Sequence, residues 1–347
     1  MEYRILGRSG LKVSPLCLGA MMFGGPTDAA TSERIISRAY DAGINIIDTA
    51  DQYHAGESER VVGKAIKPNR DSWILCTKLA NPMGTRPNMS GLSRKWIFQA
   101  VEESLQRLGT DYIDIYYLHR EDTNTSQELI VSALGDLIRA GKIRYFGLSN
   151  HRAWRVAEIC GICDRLGIDR PVASQPYYNA MNRMPEVEHL PACANFGLGV
   201  IPYSPLARGV LTGKYDPKAP PPPDTRAGRN DKRMLEAEWR AESLEIAQII
   251  KRHAEAKGIT AGHFAVNWVL NNRIVSGTLV GPRTEEQLED YLAALNYTFD
   301  QDDEELVDRL VVTGHPSTPG YNDPHYAIEG RIPRTQILLD RDHPRDH

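Results

Sequence analysis

Eight short apolar runs, each followed within a few residues by an amphipathic stretch, constrain this chain more than any other feature. The runs are SPLCLG near residue 16, INIID near 46, WILCTK near 75, YIDIYYLH near 115, IRYFGLSN near 146, PVASQ near 173, GVIPYS near 201 and GTLVG near 279. Their β-branched and aromatic content reads as strand, and their nearly continuous apolarity fits parallel strands covered on both faces. Helical periodicity is expected over 31–42, 57–66, 93–108, 126–140, 151–166, 187–196, 260–271 and 284–295, with an extra helix near 236–257. Eight such units predict an α/β protein built as a closed (β/α)8 TIM barrel. A doubly wound open sheet is the alternative, weakened because no G-x-G-x-x-G follows the first strand. Ahead of the first unit, YRIL and LKVS flank GRSG, which predicts an N-terminal β-hairpin capping the bottom of the barrel.

Barrels of 347 residues commonly form one unit with insertions, so a single domain is expected over 1–347. Two long loops, LANPMGTRPNMSGLSR at 79–94 and the segment containing DPKAPPPPDTRAGRND after the seventh run, leave the carboxyl ends of strands and are expected to wall a site there. The polar stretch 313–347 is compatible with a wrap over the barrel or with partial disorder. A net charge of -4 gives no electrostatic reason to expect nucleic acid or an anionic membrane as partner. No apolar run approaches the ~18 residues of a membrane span, and MEYRILGRSG lacks a secretory pattern, so the cytoplasm is the expected compartment. Five widely spaced cysteines argue for reduced thiols, and the CGIC at Cys160–Cys163 falls within a helix, a poor place for a redox pair.

Polar residues gather where the runs end. Asp48 closes the second, Tyr53 lies on the loop after it, Lys78 closes the third and His119 the fourth. Each alone reads as a hydrogen-bonded or ion-paired core residue. Together they suit proton donation to a carbonyl oxygen. An ammonium ~4 Å from a phenol favours phenolate by roughly 4 kcal/mol at an effective dielectric of ~20, before desolvation opposes it. Lys78 is thus expected to acidify Tyr53, Asp48 to keep Lys78 charged, and His119 to orient the substrate or join the proton relay. No activated serine or cysteine accompanies them, and a nicotinamide hydride would complete the reaction. A metal-dependent barrel hydrolase using His119 and Asp48 as ligands is a poorer fit, because the remaining strand ends offer Ser149, Gln175 and Tyr203.

LGRSGLKVSPLCLGAMMFGG, NIIDTADQYHAGESERVVGKAI, the TK at 77–78, DYIDIYYLHR, GKIRYFGLSN, SQPYYN, GVIPYSPLARGVLTGKY and GPRTEEQLED run in order over most of the chain, which through them resembles an aldo-keto reductase. The resemblance implies a barrel binding NADPH across its carboxyl face, with Asp48, Tyr53, Lys78 and His119 as a catalytic tetrad. It further implies Ser149, Asn150 and Gln175 at the nicotinamide carboxamide and Tyr203 stacked on the ring. Ser204, Leu206, Arg208 and Gly209 match the pyrophosphate loop, and Gly281, Arg283, Thr284, Gln287 and Asp290 the adenosine segment; Gly19, Met21 and Lys214 join the cofactor set on the same ground. Tyr291 departs from the family pattern, standing where many relatives carry an adenine-contacting asparagine. Met22, Phe23, His54, Asn81, Trp96 and Tyr178 are expected around an apolar pocket for a small carbonyl substrate. The family also contains regulatory subunits of potassium channels, an alternative function. Its members include monomers and homo-oligomers, and which of these this chain forms stays open.

Overall fold

A computed structural model of the chain describes residues 1–323. An antiparallel hairpin, β1 (Arg4–Ile5) with β2 (Lys12–Val13), precedes an eight-stranded parallel sheet. The sheet consists of β3 (Leu16–Gly19), β4 (Ile46–Asp48), β5 (Ile74–Leu79), β6 (Ile113–Leu118), β7 (Ile143–Ser149), β8 (Ala173–Gln175), β9 (Gly199–Val200) and β10 (Thr278–Val280), in the order β10-β3-β4-β5-β6-β7-β8-β9. Its two edges meet through a parallel bridge between Val200 and Val275. Ser276 and Leu279 donate to the carbonyls of Val200 and Pro202 at 2.8 and 2.9 Å, which curls the sheet into a (β/α)8 barrel.

The strand connections carry α1 (Ala29–Asp41), α2 (Glu57–Ile66), α3 (Arg94–Leu108), α4 (Gln127–Arg139), α5 (Ala153–Leu166) and α6 (His189–Phe196). Between β9 and β10 run α7 (Lys232–Ala237), α8 (Ala241–Ala256) and α9 (Ala261–Asn271), and α10 (Glu285–Ala294) and α11 (Gln301–Leu310) follow. Local chemistry sets many boundaries. Asp28 caps α1 by accepting from Thr31 N–H at 2.9 Å, and Ser93 caps α3 by accepting from Trp96 N–H at 3.3 Å.

Period-two alternation along the strands divides the core in two. Cys17, Ile46, Cys76, Ile115, Tyr117, Ala173, Ile201 and Leu279 fill the barrel, while residues of opposite parity such as Leu18, Ile47, Leu75, Tyr116 and Leu148 pack against the helices. Gly147 makes space inside: a Cβ there would sit 2.5 Å from the Tyr117 ring. Leu6 and Val13 of the hairpin segment belong to the interior cluster, and a Cβ on Gly199 would meet Leu6 Cδ1 at 2.4 Å. The hairpin therefore plugs the end where strands begin. At the other end the interior parity continues into Asp48, Lys78, His119, Ser149 and Gln175.

Two features differ from the sequence expectation, and a third concerns the stretch for which it gave two alternatives. The helix expected near 236–257 is broken at Glu238–Arg240, where Trp239 packs edge-on against Tyr215 at 5.0 Å and Arg240 takes an extended conformation to cap α8. Helix α11 has no counterpart in the sequence expectation, although Asp300 and Asp303 form a reciprocal capping box and Leu306 and Val307 are buried. Of the C-terminal stretch, residues up to 323 wrap back: Ser317 N–H donates to Met181 O at 2.9 Å, and Arg233 pairs with Asp323 at 2.8 Å. Residues 324–347 lie outside the described part.

Helices α2 and α3 touch at Gly63, where a Cβ would lie 2.1 Å from the backbone oxygen of Leu108. Gly161 in α5 has no atom within 4 Å of the same position. Gly63→Ala is expected to destabilise the fold by about 2 kcal/mol or more through backbone displacement. Gly161→Ala should stabilise it by roughly 0.5–1 kcal/mol through helix propensity. Chemical denaturation of both variants checks the contrast; equal effects would show that the α2–α3 contact is not tight.

Candidate active site

The rim at the carboxyl ends of the strands is ordered around one buried cation. Lys78 has no exposed side chain, forms an ion pair with Asp48, donates to Thr49 O at 2.8 Å and approaches Tyr53 OH at 3.5 Å. Burial alone works against the ammonium, but the carboxylate of Asp48, together with Tyr53, more than offsets it and holds the Lys78 pKa above its usual value. The second oxygen of Asp48 accepts from Gln175 Nε2 at 2.9 Å, so the carboxylate is fixed from both sides.

Tyr53 stands on a short turn after β4 whose next residues, His54 and Ala55, have positive φ. Its ring lies edge-on to His119 at 5.9 Å. Burial pushes the phenol pKa up, Lys78 opposes this, and the net direction is upward. Lys78 therefore acts on the phenol in the expected direction, but desolvation outweighs it. The imidazole of His119 is held well below its ordinary pKa by burial, then by Lys78 and Arg120, and is neutral. Its Nδ1 is buried without a hydrogen-bond partner among the described residues.

The other strand ends continue the array. Ser149 Oγ donates to Gln175 O at 3.0 Å, and Asn150, at φ 56°, bridges His119 O at 2.9 Å and the Tyr203 hydroxyl at 2.8 Å. Tyr203 stacks on Tyr177 at 5.7 Å, giving an aromatic shelf beside the tetrad. Ser204, Leu206, Arg208 and Gly209 follow in a loop with positive φ at Ser204, Ala207, Arg208 and Gly209.

Beyond the shelf, Arg208, Lys214, Arg226, Arg229 and Arg283 gather. Burial and the neighbouring Arg283 and Arg226 lower the pKa of Lys214; burial and Arg208 lower that of Arg226. A cluster whose members repel one another fits a polyanionic ligand. Gly19 and Gly281 lie side by side at the ends of β3 and β10. Thr284 caps α10, and Gln287 accepts from Arg283 N–H at 2.8 Å. Asp290 is engaged by His263 at 2.7 Å. Tyr291 is half-buried against the core, close enough to Arg226 to feel its charge.

The proposed substrate neighbours separate into two groups. His54 is exposed, with Nε2 3.0 Å from the backbone oxygen of Met21, a member of the cofactor set, and Met22 and Asn81 are partly exposed. Phe23, Trp96 and Tyr178 are fully buried in the layer between strands and helices; Tyr178 packs on Trp268 at 5.1 Å and donates to Glu186 at 2.8 Å. Arg226 and Arg229 went unnoticed in the sequence, although TRAGRND places two arginines on a loop leaving a strand's carboxyl end. In the CGIC pair, burial raises the Cys160 and Cys163 thiols to about 11 and about 12, which keeps them protonated and unreactive.

The aldo/keto reductase family model matches residues 15–312. The chain belongs to the aldo/keto reductase family. Among its relatives, a probable voltage-gated potassium channel subunit beta from Arabidopsis thaliana is 36% identical over 85% of this chain and 92% of its own length. The uncharacterized oxidoreductase YrpG of Bacillus subtilis is 36% identical over 87% and 93%. An L-glyceraldehyde 3-phosphate reductase of Escherichia coli O157:H7 is 34% identical over 90% and 93%. The family and its reductase-named members support a general oxidoreductase, and a nicotinamide cofactor is what the family typically binds. No described helix is long and apolar enough to cross a membrane.

Behind Lys78 lies a second buried group. Asp51, whose N–H donates to Lys78 O at 3.1 Å, has no exposure and no hydrogen bond to either carboxylate oxygen among the described residues. Beside it, Glu59 accepts from Thr77 Oγ1 at 2.6 Å and from Arg107 Nε at 2.5 Å. Burial first, and Glu59 second, raise the Asp51 pKa to about 8. The folded state thus holds a proton that the unfolded chain releases near pH 4. Stability from this group is complete below about pH 4 and declines as pH rises toward about 8. Asp51→Asn lacks that decline, so its advantage in thermal midpoint over the parent should grow from pH 5 to pH 8 and then level off. A constant difference across this range would place the Asp51 titration elsewhere.

Proposed function

We propose that the chain reduces the carbonyl of an aldehyde or ketone with NADPH, and oxidises the alcohol in reverse, with Tyr53 as general acid. One observation carries this reading: a phenol, an ammonium, a carboxylate and a neutral imidazole converge on one rim beside an aromatic shelf and a cation cluster. Bound NADPH would supply the hydride. In this reading the neutral phenol of Tyr53 donates its proton to the carbonyl oxygen as negative charge develops there, Lys78 stabilises the phenolate left behind, and Asp48 keeps Lys78 charged. His119, uncharged, hydrogen-bonds and orients the oxygen. Gln175, Ser149 and Asn150 would hold the carboxamide and Tyr203 the ring face. Arg208, with Gly19, Met21, Ser204, Leu206 and Gly209, would border the pyrophosphate. Lys214, Arg226, Gly281, Thr284, Gln287 and Asp290 would serve the adenosine half.

The barrel, both insertions and the stretch to residue 323 act in this reading as one domain. Met22, His54 and Asn81 border the substrate, a small carbonyl compound. Five free, buried cysteines suit a reducing compartment such as the cytoplasm. Likeness to potassium channel beta subunits favours a second reading, in which the same site senses cofactor within a channel complex. Wild-type protein that binds NADPH yet turns over none of a broad carbonyl panel would favour that second reading.

Tyr53→Phe preserves ring packing and removes the donated proton. Turnover should fall by about 10²- to 10⁴-fold with NADPH affinity nearly unchanged, and Lys78→Met should do comparable damage. Because the two act as a unit, the double variant should be little worse than either. Single-turnover kinetics with a good substrate measure this; near-normal turnover by Tyr53→Phe sinks the assignment.

Cofactor choice rests on Arg283 within the cation cluster. Its guanidinium can form charge-assisted hydrogen bonds to a 2′-phosphate. No acidic residue is recognisable in a ribose-binding role beside it. Arg283→Ala is expected to weaken NADPH binding by roughly 1.5–3 kcal/mol and to leave NADH almost untouched. Equal losses in calorimetry with the two nucleotides would show that Arg283 does not read the phosphate.

A further inference from the structure

Glu238, at the carboxyl end of α7, has no solvent exposure, and neither carboxylate oxygen makes a hydrogen bond among the described residues. Its closest cation is Arg208, whose Nε lies 4.0 Å away and is itself buried without a partner. The hydroxyl of Tyr177 faces the same carboxylate, also short of a well-formed hydrogen bond. Two other arginines feel Glu238 but are committed elsewhere. Arg233 pairs with Asp323 at 2.8 Å, and Arg240 donates to Ala237 O at 2.6 Å.

Three buried polar groups that face one another without a well-formed hydrogen bond are costly, and native proteins keep such groups where a function uses them. The geometry says what the use is. A guanidinium has two edges, and Arg208 turns its Nε edge inward toward Glu238, which leaves the terminal nitrogens for a ligand. Arg208 also sits at φ 51° between Ala207 at 46° and Gly209 at 101°, a strained segment that needs an anchor. Tyr177, which also faces Glu238, stacks on Tyr203 at 5.7 Å and so supports the aromatic shelf.

We propose that Glu238 is a positioning residue for the cofactor's pyrophosphate: it orients Arg208 from beneath and, through Tyr177, ties that arginine to the aromatic shelf. This rests on the reading of the rim as an NADPH site. Glu238 touches no ligand itself. Its carboxylate lets the Arg208 side chain remain buried and ordered, so that the outer nitrogens meet phosphate without first being frozen into place.

The test is a double-mutant cycle on the full-length protein, reading NADPH dissociation constants by calorimetry for the parent, Glu238→Gln, Arg208→Lys and the pair. Each single variant should weaken binding about tenfold, the scale of one charge-assisted contact, and the pair should be little weaker than either single. Additive losses overturn the proposal, as does tighter binding by Glu238→Gln, which would make the carboxylate a competitor of phosphate. A lowered thermal midpoint with unchanged affinity would likewise overturn it, reducing Glu238 to a structural role. If Glu238→Gln does not fold, Tyr177→Phe takes its place in the cycle with the same criteria. Parent protein that fails to bind NADPH removes the underlying reading along with this inference; parent that binds while the cycle shows no coupling removes this inference alone.

Discussion

Lys78 carries a full positive charge into a fully buried place, and much of the rim follows from the need to neutralise it. A lone buried ammonium would shed its proton, because the transfer cost of the charged form far exceeds that of the neutral amine. Asp48 prevents this by direct ion pairing, and Thr49 O and Tyr53 OH occupy the other directions around the nitrogen. Asp48 in turn has to be held, and Gln175 Nε2 holds it. From Gln175 the hydrogen bonds continue through Ser149 and Asn150 to Tyr203. One buried charge thus links the ends of β4, β5, β7 and β8 with the segment after β9, and removing either member of the pair would strand the other.

The strand register makes the pair available. Asp48 lies opposite Cys76, and Lys78 follows Cys76 by one inward step, so both side chains project from the same interior parity onto the same rim. Below them the interior is apolar and plugged by Leu6 and Val13. The polar layer can therefore open only toward the carboxyl face, where the long loops and the cation cluster stand.

That much was legible because strand parity and helix periodicity are local patterns: the eight runs, the hairpin and the shared rim of Asp48, Lys78 and His119 can all be counted along the chain. The acidity of Tyr53 was not, because it depends on how much water the fold removes, and desolvation overrode the neighbouring charge. Phe23, Trp96 and Tyr178 flank the right strands for pocket walls, and their full burial in the larger hydrophobic cluster has no local signature in the sequence. The break at Glu238–Arg240 escaped notice for a similar reason, since helical periodicity continues through it while Trp239 is taken up by Tyr215. Buried pairs such as Glu59 with Arg107 join residues far apart in sequence and have no periodic signature.

The upward shift of the phenol changes what the proposed chemistry demands. An acid with a depressed pKa would sit partly ionised at neutral pH, and each ionised molecule would lack the proton it has to give. Tyr53, pushed above its usual value, stays protonated throughout that range. An alkoxide is more basic than a phenolate, so as charge builds on the carbonyl oxygen the transfer becomes favourable at the moment it is needed. The phenolate then formed would be costly in a partly buried site but for the ammonium 3.5 Å away, already charged and already held by Asp48. In the proposed chemistry Lys78 would therefore act less on the resting acid than on its conjugate base. Its contribution would be differential, larger after proton transfer than before, which is the condition for an interaction to accelerate a reaction rather than only to tighten binding.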